Sequence, residues 1–80
     1  MLELSAPSSH LYPGALCRVE EGALADGPVV MLFADGSRTG GRLAGSQLQL
    51  MPYETRAGTA IPARLWQIDT QTMRIAARLR

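Results

Sequence analysis

Short apolar runs separated by turn signals are the main pattern along this chain. The runs carry valine, leucine, isoleucine and phenylalanine, and none is long enough for a helix-length period. Short, even spacing of this kind is typical of a β-meander, sandwich or barrel. The pattern predicts an all-β fold, a small SH3-like barrel of about five antiparallel strands. The turn signals are Glu21-Gly22, Asp26-Gly27, Asp35-Gly36, Gly45-Ser46 and Ala57-Gly58.

The domain organisation follows from where this pattern begins. Residues 1–14 contain two prolines and three serines and have no periodicity. They are interpreted as an irregular, flexible N-terminal tail, and residues 15–80 as a single small barrel domain. The first residues lack the basic and apolar regions of a signal peptide, and no apolar run approaches the ~18 residues of a membrane helix. We therefore expect a cytoplasmic protein without membrane contact.

The central segment predicts two hairpins and two faces. Asp35-Gly36 favours a two-residue type I′ turn, which places Met31 opposite Gly40. Gly45-Ser46 favours a two-residue type II′ turn. Because cross-strand partners share a face, these registers predict an apolar core face and a mixed face that carries both apolar and polar side chains. The predicted core face carries Val30, Leu32, Thr39, Gly41, Leu43, Leu48 and Leu50.

The mixed face is the first candidate for a binding surface. It combines an apolar stripe with arginines at its rim, which is typical of a protein–protein interface. A small domain also gains stability by burying apolar area between copies, so we predict a homo-oligomer. The structural alternative is a long, bent strand with both faces buried, as in a small barrel, or one covered by Leu11 and Tyr12. The predicted partner-binding residues are Val29, Met31, Phe33, Arg38, Arg42 and Met51.

The run from Pro52 to Trp66 raises the question of whether it is a functional site or a bend. Pro52 cannot donate a ladder hydrogen bond and therefore closes the preceding strand. Pro62 interrupts the ladder and predicts a bulge or bend. A strand from Ala63 to Asp69 follows, with Trp66 and Ile68 on one face. The run is interpreted as a corner of the barrel in which Trp66 fills the core.

The last residues, 73–80, alternate apolar and basic side chains. This alternation predicts a half-buried strand whose outer row is Arg74, Arg78 and Arg80. Alanine, arginine, leucine and methionine also favour helix, but eight residues would form barely two turns. We therefore predict a strand.

The charge of the chain is uneven, and every basic residue is an arginine. Residues 1–35 have a net charge of −4 and residues 36–80 one of +5. Codon bias in a GC-rich bacterium explains such a composition without any function, whereas anion recognition is the functional alternative. Small barrels bind nucleic acid through basic grooves with exposed aromatics, but the sequence pI of about 8.0 is low for such a domain. The nucleic-acid alternative would use Arg56, Arg64, Arg74, Arg78 and Tyr53.

Residues for catalysis or metal binding are few. One histidine, His10, lies in the predicted tail, and one cysteine, Cys17, lies in the first predicted strand. One thiol cannot form an internal disulfide, and one His with one Cys is too few for a metal site. We therefore predict a non-enzymatic bacterial binding or adaptor module without cofactor or metal. Its partner would be a second copy or another protein, with nucleic-acid binding as the alternative.

Overall fold

The structure, a computed structural model, describes residues 2–5, 11–19 and 26–80. All regular structure in these residues is β-strand, which confirms the prediction of an all-β fold. None of these residues belongs to a helix that could cross a membrane. The strands are β1 (Leu2–Ser5), β2 (Arg18–Val19), β3 (Gly27–Leu32), β4 (Arg38–Ala44), β5 (Gln47–Leu50), β6 (Tyr53–Glu54), β7 (Ala60–Ile61), β8 (Arg64–Asp69) and β9 (Arg74–Arg78).

One curled sheet contains seven of these strands, in the order β2-β1-β3-β4-β5-β8-β9. The remaining two, β6 and β7, form a short separate ribbon between β5 and β8. Neighbouring strands are antiparallel except β1 and β3, which run parallel. The strands are thus more numerous and shorter than the five predicted, because Pro52 and Pro62 divide the last part of the meander.

Hydrogen bonds join the two edges of the sheet. Gly14 N donates to Ile75 O (2.7 Å), Ile75 N to Ala15 O (2.8 Å) and Cys17 N to Met73 O (2.6 Å). The chain then continues directly into β2, which pairs with β1 at the opposite edge. The extended segment 14–19 therefore bonds to both edges and gives the sheet its barrel-like closure.

The irregular tail predicted for residues 1–14 is wrong over residues 2–5. These form β1, in which Leu4 pairs with Met31 and is completely buried. The alternation Leu-Glu-Leu-Ser is a short strand pattern that the surrounding prolines and serines obscure. Leu11 is also buried. His10 and the predicted Glu21-Gly22 turn lie outside the described residues.

The first hairpin has a different register from the one predicted. Met31 pairs with Thr39 rather than Gly40. Phe33 N donates to Ser37 O and Gly36 N donates to Phe33 O, both at 3.0 Å, and Gly36 has a φ of +89°. This is a three-residue loop, a type I turn followed by a glycine in the left-handed region. Asp35 Oδ1 stabilises it by accepting from the Ser37 amide (2.9 Å) and hydroxyl (2.5 Å).

This one-residue difference inverts the faces of β3. Val29, Met31 and Phe33 are 1%, 0% and 3% exposed, so their predicted outward placement is wrong and they belong to the core. Val30 and Leu32, predicted to be buried, are half-buried on the other face. The predicted apolar stripe of Val29, Met31 and Phe33 is therefore not exposed.

The second hairpin matches its predicted register, and residues 64–69 and 74–78 form strands as predicted. Ala44 pairs with Gln47 across the Gly45-Ser46 turn, where Gly45 has a φ of +60°. The two large side chains of β8 both point into the core, and residues 74–78 form a strand. The buried apolar residues are Leu4, Leu11, Ala15, Cys17, Val29, Met31, Phe33, Leu43, Leu48, Leu50, Trp66, Ile68 and Ile75.

Replacing Met31 with glutamate tests the observed register. Met31 is 0% exposed, so an unpaired carboxylate there should unfold a domain whose total stability is only about 5–15 kcal/mol. Met51→Glu is the matched control, because Met51 is 57% exposed and should tolerate the same change. The free energy of unfolding of both variants is measured by denaturant titration. A stable Met31→Glu variant would contradict the register.

The adjacent glycines of β4 provide a second test of the packing. A Cβ at Gly41 would contact Gln49 O and lie 2.9 Å from Leu50 Cδ2, whereas a Cβ at Gly40 would meet nothing within 4 Å. Gly41→Ala should therefore cost about 1–3 kcal/mol through strain. Gly40→Ala should be neutral or stabilise by about 0.5–1 kcal/mol. Equal effects of the two changes on the free energy of unfolding would argue against this arrangement.

Candidate binding site at the barrel mouth

Three strands bring a set of unlike side chains to one end of the barrel. β5 ends at Leu50, which pairs with Arg64 at the start of β8. Next along β8, Trp66 pairs with Arg78 at the end of β9. Because cross-strand partners and alternate residues share a face, all four side chains are on the face of the sheet that carries the core. This end is called the barrel mouth below.

A β-bulge in β9 places Arg78, an exposed residue, on the same face of the sheet as Trp66. Ile75 pairs with Ile68, but Ala77 rather than Ala76 pairs with Gln67, so Ala76 is the extra residue. With a regular ladder Arg78 would share the outer row with Arg74, as the alternation of residues 73–80 predicted. The bulge shifts the alternation by one and puts Arg78 on the same face as Ile75, which corrects that prediction.

A groove lies at the barrel mouth, with Trp66 as its floor. It encloses about 540 Å3 and is open to solvent. Trp66 is only 4% exposed, whereas Tyr12 at the side of the groove is 53% exposed. The mouth groove is lined by Leu11, Tyr12, Pro13, Arg64, Trp66, Ala76, Ala77 and Arg78.

The β6–β7 ribbon extends this groove. Tyr53, Ile61 and Pro62 line a smaller recess that also includes Arg64 and Trp66. The ribbon closes through a loop like that of the first hairpin, with Gly58 N donating to Thr55 O (2.9 Å) and a Gly58 φ of +91°. The run from Pro52 to Trp66 is therefore a bend, as predicted, and also forms one wall of the candidate site.

The ring of Tyr53 is held in place by aromatic stacking. It packs on Phe33 with a centroid separation of 5.0 Å and an interplanar angle of 13°. Burial is the main reason that the pKa of its phenol is raised. The nearby positive charge of Arg64 acts in the opposite direction, and Asp35 adds to the increase. The guanidinium of Arg64 therefore lies within electrostatic reach of the Tyr53 hydroxyl.

Salt bridges of arginine with carboxylates are few among the described residues. Arg38 forms a salt bridge with Glu3 (3.4 Å), and Arg74 Nη1 donates to Gly14 O (2.9 Å). Within the described part of the chain, neither Arg64 nor Arg78 has a carboxylate within salt-bridge distance. Two guanidinium groups, neither with a carboxylate of the described residues at salt-bridge distance, thus border the floor of the groove.

The structure brings together only part of each predicted residue set. Of the nucleic-acid set, Tyr53, Arg64 and Arg78 line the barrel mouth and its extension. Arg56 instead packs over Gly36, where an added Cβ would lie 3.4 Å from its Nη2. Of the partner-binding set, Val29, Met31 and Phe33 are buried. Arg38, Arg42 and Met51 are exposed but do not line the groove.

Residues 11–13 line the groove, although the sequence predicted a tail there, with Leu11 and Tyr12 as an alternative cover for the sheet. Tyr12 O accepts from Ala15 N (2.9 Å), and Gly14 has a φ of +90°, so Tyr12-Pro13-Gly14-Ala15 is a type II turn. The Pro-Gly pair was the local signal for this turn, but nothing in it indicates what the turn packs against.

The described residues give no support for nucleophilic or metal chemistry. Cys17 is 1% exposed, and burial raises the pKa of its thiol to about 11, so it is neutral at physiological pH. Among residues 2–5, 11–19 and 26–80, no three His, Cys, Asp or Glu side chains are close enough to hold a metal ion.

Comparison with protein-family models, with curated proteins and with solved structures gives no match to this chain. The function must therefore be argued from the geometry of the barrel mouth.

The proximity of Arg64 to Tyr53 can be tested by titration. Arg64→Gln removes a positive charge that stabilises the phenolate, so the pKa of Tyr53 should rise further. Absorbance titration in a Tyr12→Phe background isolates Tyr53, because the chain has two tyrosines. Arg42→Gln is the control and should leave the titration unchanged. An unchanged or lowered pKa in Arg64→Gln would place the guanidinium elsewhere.

Proposed function

We propose that this protein is a non-enzymatic binding module that holds a negatively charged partner in the mouth groove. The observation that carries the proposal is the pair Arg64 and Arg78 on either side of Trp66. Arg64 is half-buried and Arg78 is exposed, so both side chains reach solvent beside Trp66. A guanidinium presents a fork of donors suited to carboxylate or phosphate.

The purely structural explanation is that both arginines cover Trp66 with their aliphatic stems and extend their charges into water. In that case they stabilise the barrel and bind nothing. The two explanations differ in measurable ways, because a charge-neutral side chain of similar length keeps most of the stem packing and loses the charge.

Nucleic-acid binding remains the second candidate, and the grouping of Tyr53, Arg64 and Arg78 favours it. Single-stranded nucleic acid is usually held by stacking of successive bases on exposed aromatic rings. Of the aromatic rings at this end, Trp66 is nearly buried, and Tyr53 is half-buried and stacked on Phe33, so only Tyr12 offers an open face. One open aromatic ring is few for the stacking of successive bases, and we therefore favour a protein partner.

Self-association stays a prediction, but its basis changes. Val29, Met31 and Phe33 are in the core and cannot form a contact between folded copies without disrupting it. An assembly would have to use other apolar residues, and the large exposed ones among the described residues are Tyr12, Met51 and Leu79. Light scattering of the wild-type protein tests the prediction. The SH3-like class, the bacterial origin and the cytoplasmic location also stay predictions.

The proposed function is tested through the intrinsic fluorescence of Trp66, the chain's one tryptophan. Poly-L-glutamate and a dT12 oligonucleotide serve as anionic probes. At least one of them should change the emission of the wild-type protein, and added salt should weaken the effect. Arg64→Gln and Arg78→Gln should each weaken binding by roughly tenfold or more, the usual value of a charge-assisted hydrogen bond.

Arg42→Gln is the matched control, because Arg42 is exposed and lies outside the groove. It should bind like the wild type, which separates a local effect from a change in net charge. If neither probe changes the fluorescence, or if both groove variants bind like the control, the groove is not an anion site. Lowered stability of the groove variants without loss of binding would support the structural explanation.

A further inference from the structure

The smaller recess adjoins the mouth groove and differs from it in lining. Leu11, Arg64 and Trp66 line both cavities. The recess has four further walls, and all of them are apolar or aromatic side chains. These walls are Leu50, Tyr53, Ile61 and Pro62. An apolar pocket therefore opens beside Arg64.

The size of the recess limits what can enter it. It encloses about 30 Å3, whereas the mouth groove encloses about 540 Å3. A water-sized group needs roughly 10–15 Å3, so the recess holds about two such groups. The two methyl groups of a valine side chain match this volume, and an aromatic ring exceeds it. The recess therefore suits a short, branched apolar group.

The positive charge of the site lies where the recess and the mouth groove meet. Arg64 lines both cavities, and its guanidinium is within electrostatic reach of the Tyr53 hydroxyl in the recess wall. Because Trp66 pairs with Arg78, Arg64 and Arg78 are diagonal neighbours across β8 and β9. Diagonal positions are about 7–8 Å apart, a separation that long side chains can span. One anion beside the recess can therefore contact both arginines.

We propose that this site binds the C-terminal residue of a partner protein, with its apolar side chain in the recess and its carboxylate at Arg64 and Arg78. This inference rests on the proposed function and names the part of the partner that is bound. A C-terminal residue carries its carboxylate and its side chain on one Cα atom, so the two groups reach adjacent sites together. The carboxylate also suits the fork of donors that a guanidinium presents.

An internal acidic residue fits the two adjacent sites less well than a chain end. In an extended segment, neighbouring side chains point to opposite faces, and the next side chain on the same face is about 6.6 Å away. An internal glutamate at Arg64 would therefore keep its apolar neighbour out of the recess. A C-terminal residue has no such conflict, because it supplies both groups itself.

The mouth groove favours a chain end over a free small acid. Sites for small molecules usually bury roughly 70–90% of the ligand's surface. The mouth groove is open to solvent and far larger than the recess, so a free branched acid would leave most of it empty. The residues that precede a C-terminus would occupy this space. A nucleic-acid phosphate has no short apolar branch beside its charge and would leave the recess empty.

Two peptides that differ in one group test the role of the carboxylate. Acetyl-Ser-Ala-Ser-Ala-Val with a free C-terminal carboxylate should change the fluorescence of Trp66, which lines both cavities. The same peptide with a C-terminal amide should bind roughly tenfold more weakly or worse, because it lacks the charge-assisted hydrogen bonds.

The last side chain of the peptide tests the recess. Peptide acids that end in glycine or phenylalanine should bind more weakly than the valine peptide, because glycine leaves the recess empty and the phenylalanine ring exceeds it. Ile61→Ala removes part of one wall and should shift the preference from valine towards phenylalanine.

Matched arginine variants locate the carboxylate. Arg64→Gln should weaken binding of the valine acid and reduce its advantage over the amide, whereas Arg42→Gln should change neither. Arg64 and Ile61 are half-buried and Arg42 is exposed, so we expect all three variants to fold. Amide hydrogen exchange of the unbound variants checks this expectation.

The possible outcomes separate this inference from the proposed function. Equal binding of the acid and the amide, or of the valine and glycine peptides, would show that the C-terminal residue is not recognised. If N-acetylvaline binds as tightly as the peptide acid, the ligand is a free acid and not a chain end. If poly-L-glutamate or dT12 binds through Arg64 and Arg78 while the peptide acid does not, the proposed function stands and C-terminal recognition is wrong. If no anionic probe binds at all, the proposed function itself fails.

Discussion

The hydrogen bonds between the segment 14–17 and β9 are the constraint on which the rest of the structure depends. A curled sheet of short strands leaves two open edges, and each unpaired backbone group at a buried edge costs free energy. Here one segment bonds to β9 at its beginning and to β1 at its end. Ala15 and Cys17 are 1% exposed, so the same segment also contributes to the core.

This closure also positions the candidate site. The hydrogen bond from Gly14 to Ile75 fixes where the Pro13-Gly14 turn lies relative to β9. The Pro13-Gly14 turn then places Leu11 and Tyr12 beside Trp66. The groove thus depends on a backbone contact between residues far apart in sequence, and changes in the segment 14–17 would affect stability and site together.

Part of this fold could be predicted from the sequence, and the predictions that were wrong have physical causes. The Gly45-Ser46 hairpin was predicted with its full register because a two-residue turn determines the pairing. Asp35-Gly36 was misplaced because Asp-Gly occurs equally well at the end of a three-residue loop. Burial decides between the two: the observed register puts Val29, Met31 and Phe33 in the core and sets Gly41 where no Cβ fits.

The sequence predicted several residues of the candidate site but not how they are grouped. Arg64, Arg78 and Tyr53 were named from the sequence, but their grouping follows from strand pairing and from the bulge at Ala76. The sequence cannot show which of two adjacent alanines is the extra residue of a bulge, because both have the same local conformational preference. Leu11 and Tyr12 belong to a segment without periodicity, so only the folded chain reveals that they pack at the barrel mouth.

The alanine pair at positions 76 and 77 makes β9 unusually tolerant of one kind of mutation and intolerant of another. Loss of one alanine codon would remove the bulge and leave the following arginine opposite Trp66, in an ordinary ladder. Gain of one alanine codon, with the bulge kept at one residue, would move that arginine opposite Leu65 and turn it outward. Loss and gain of one residue at this point would therefore have opposite consequences for the face on which the arginine lies.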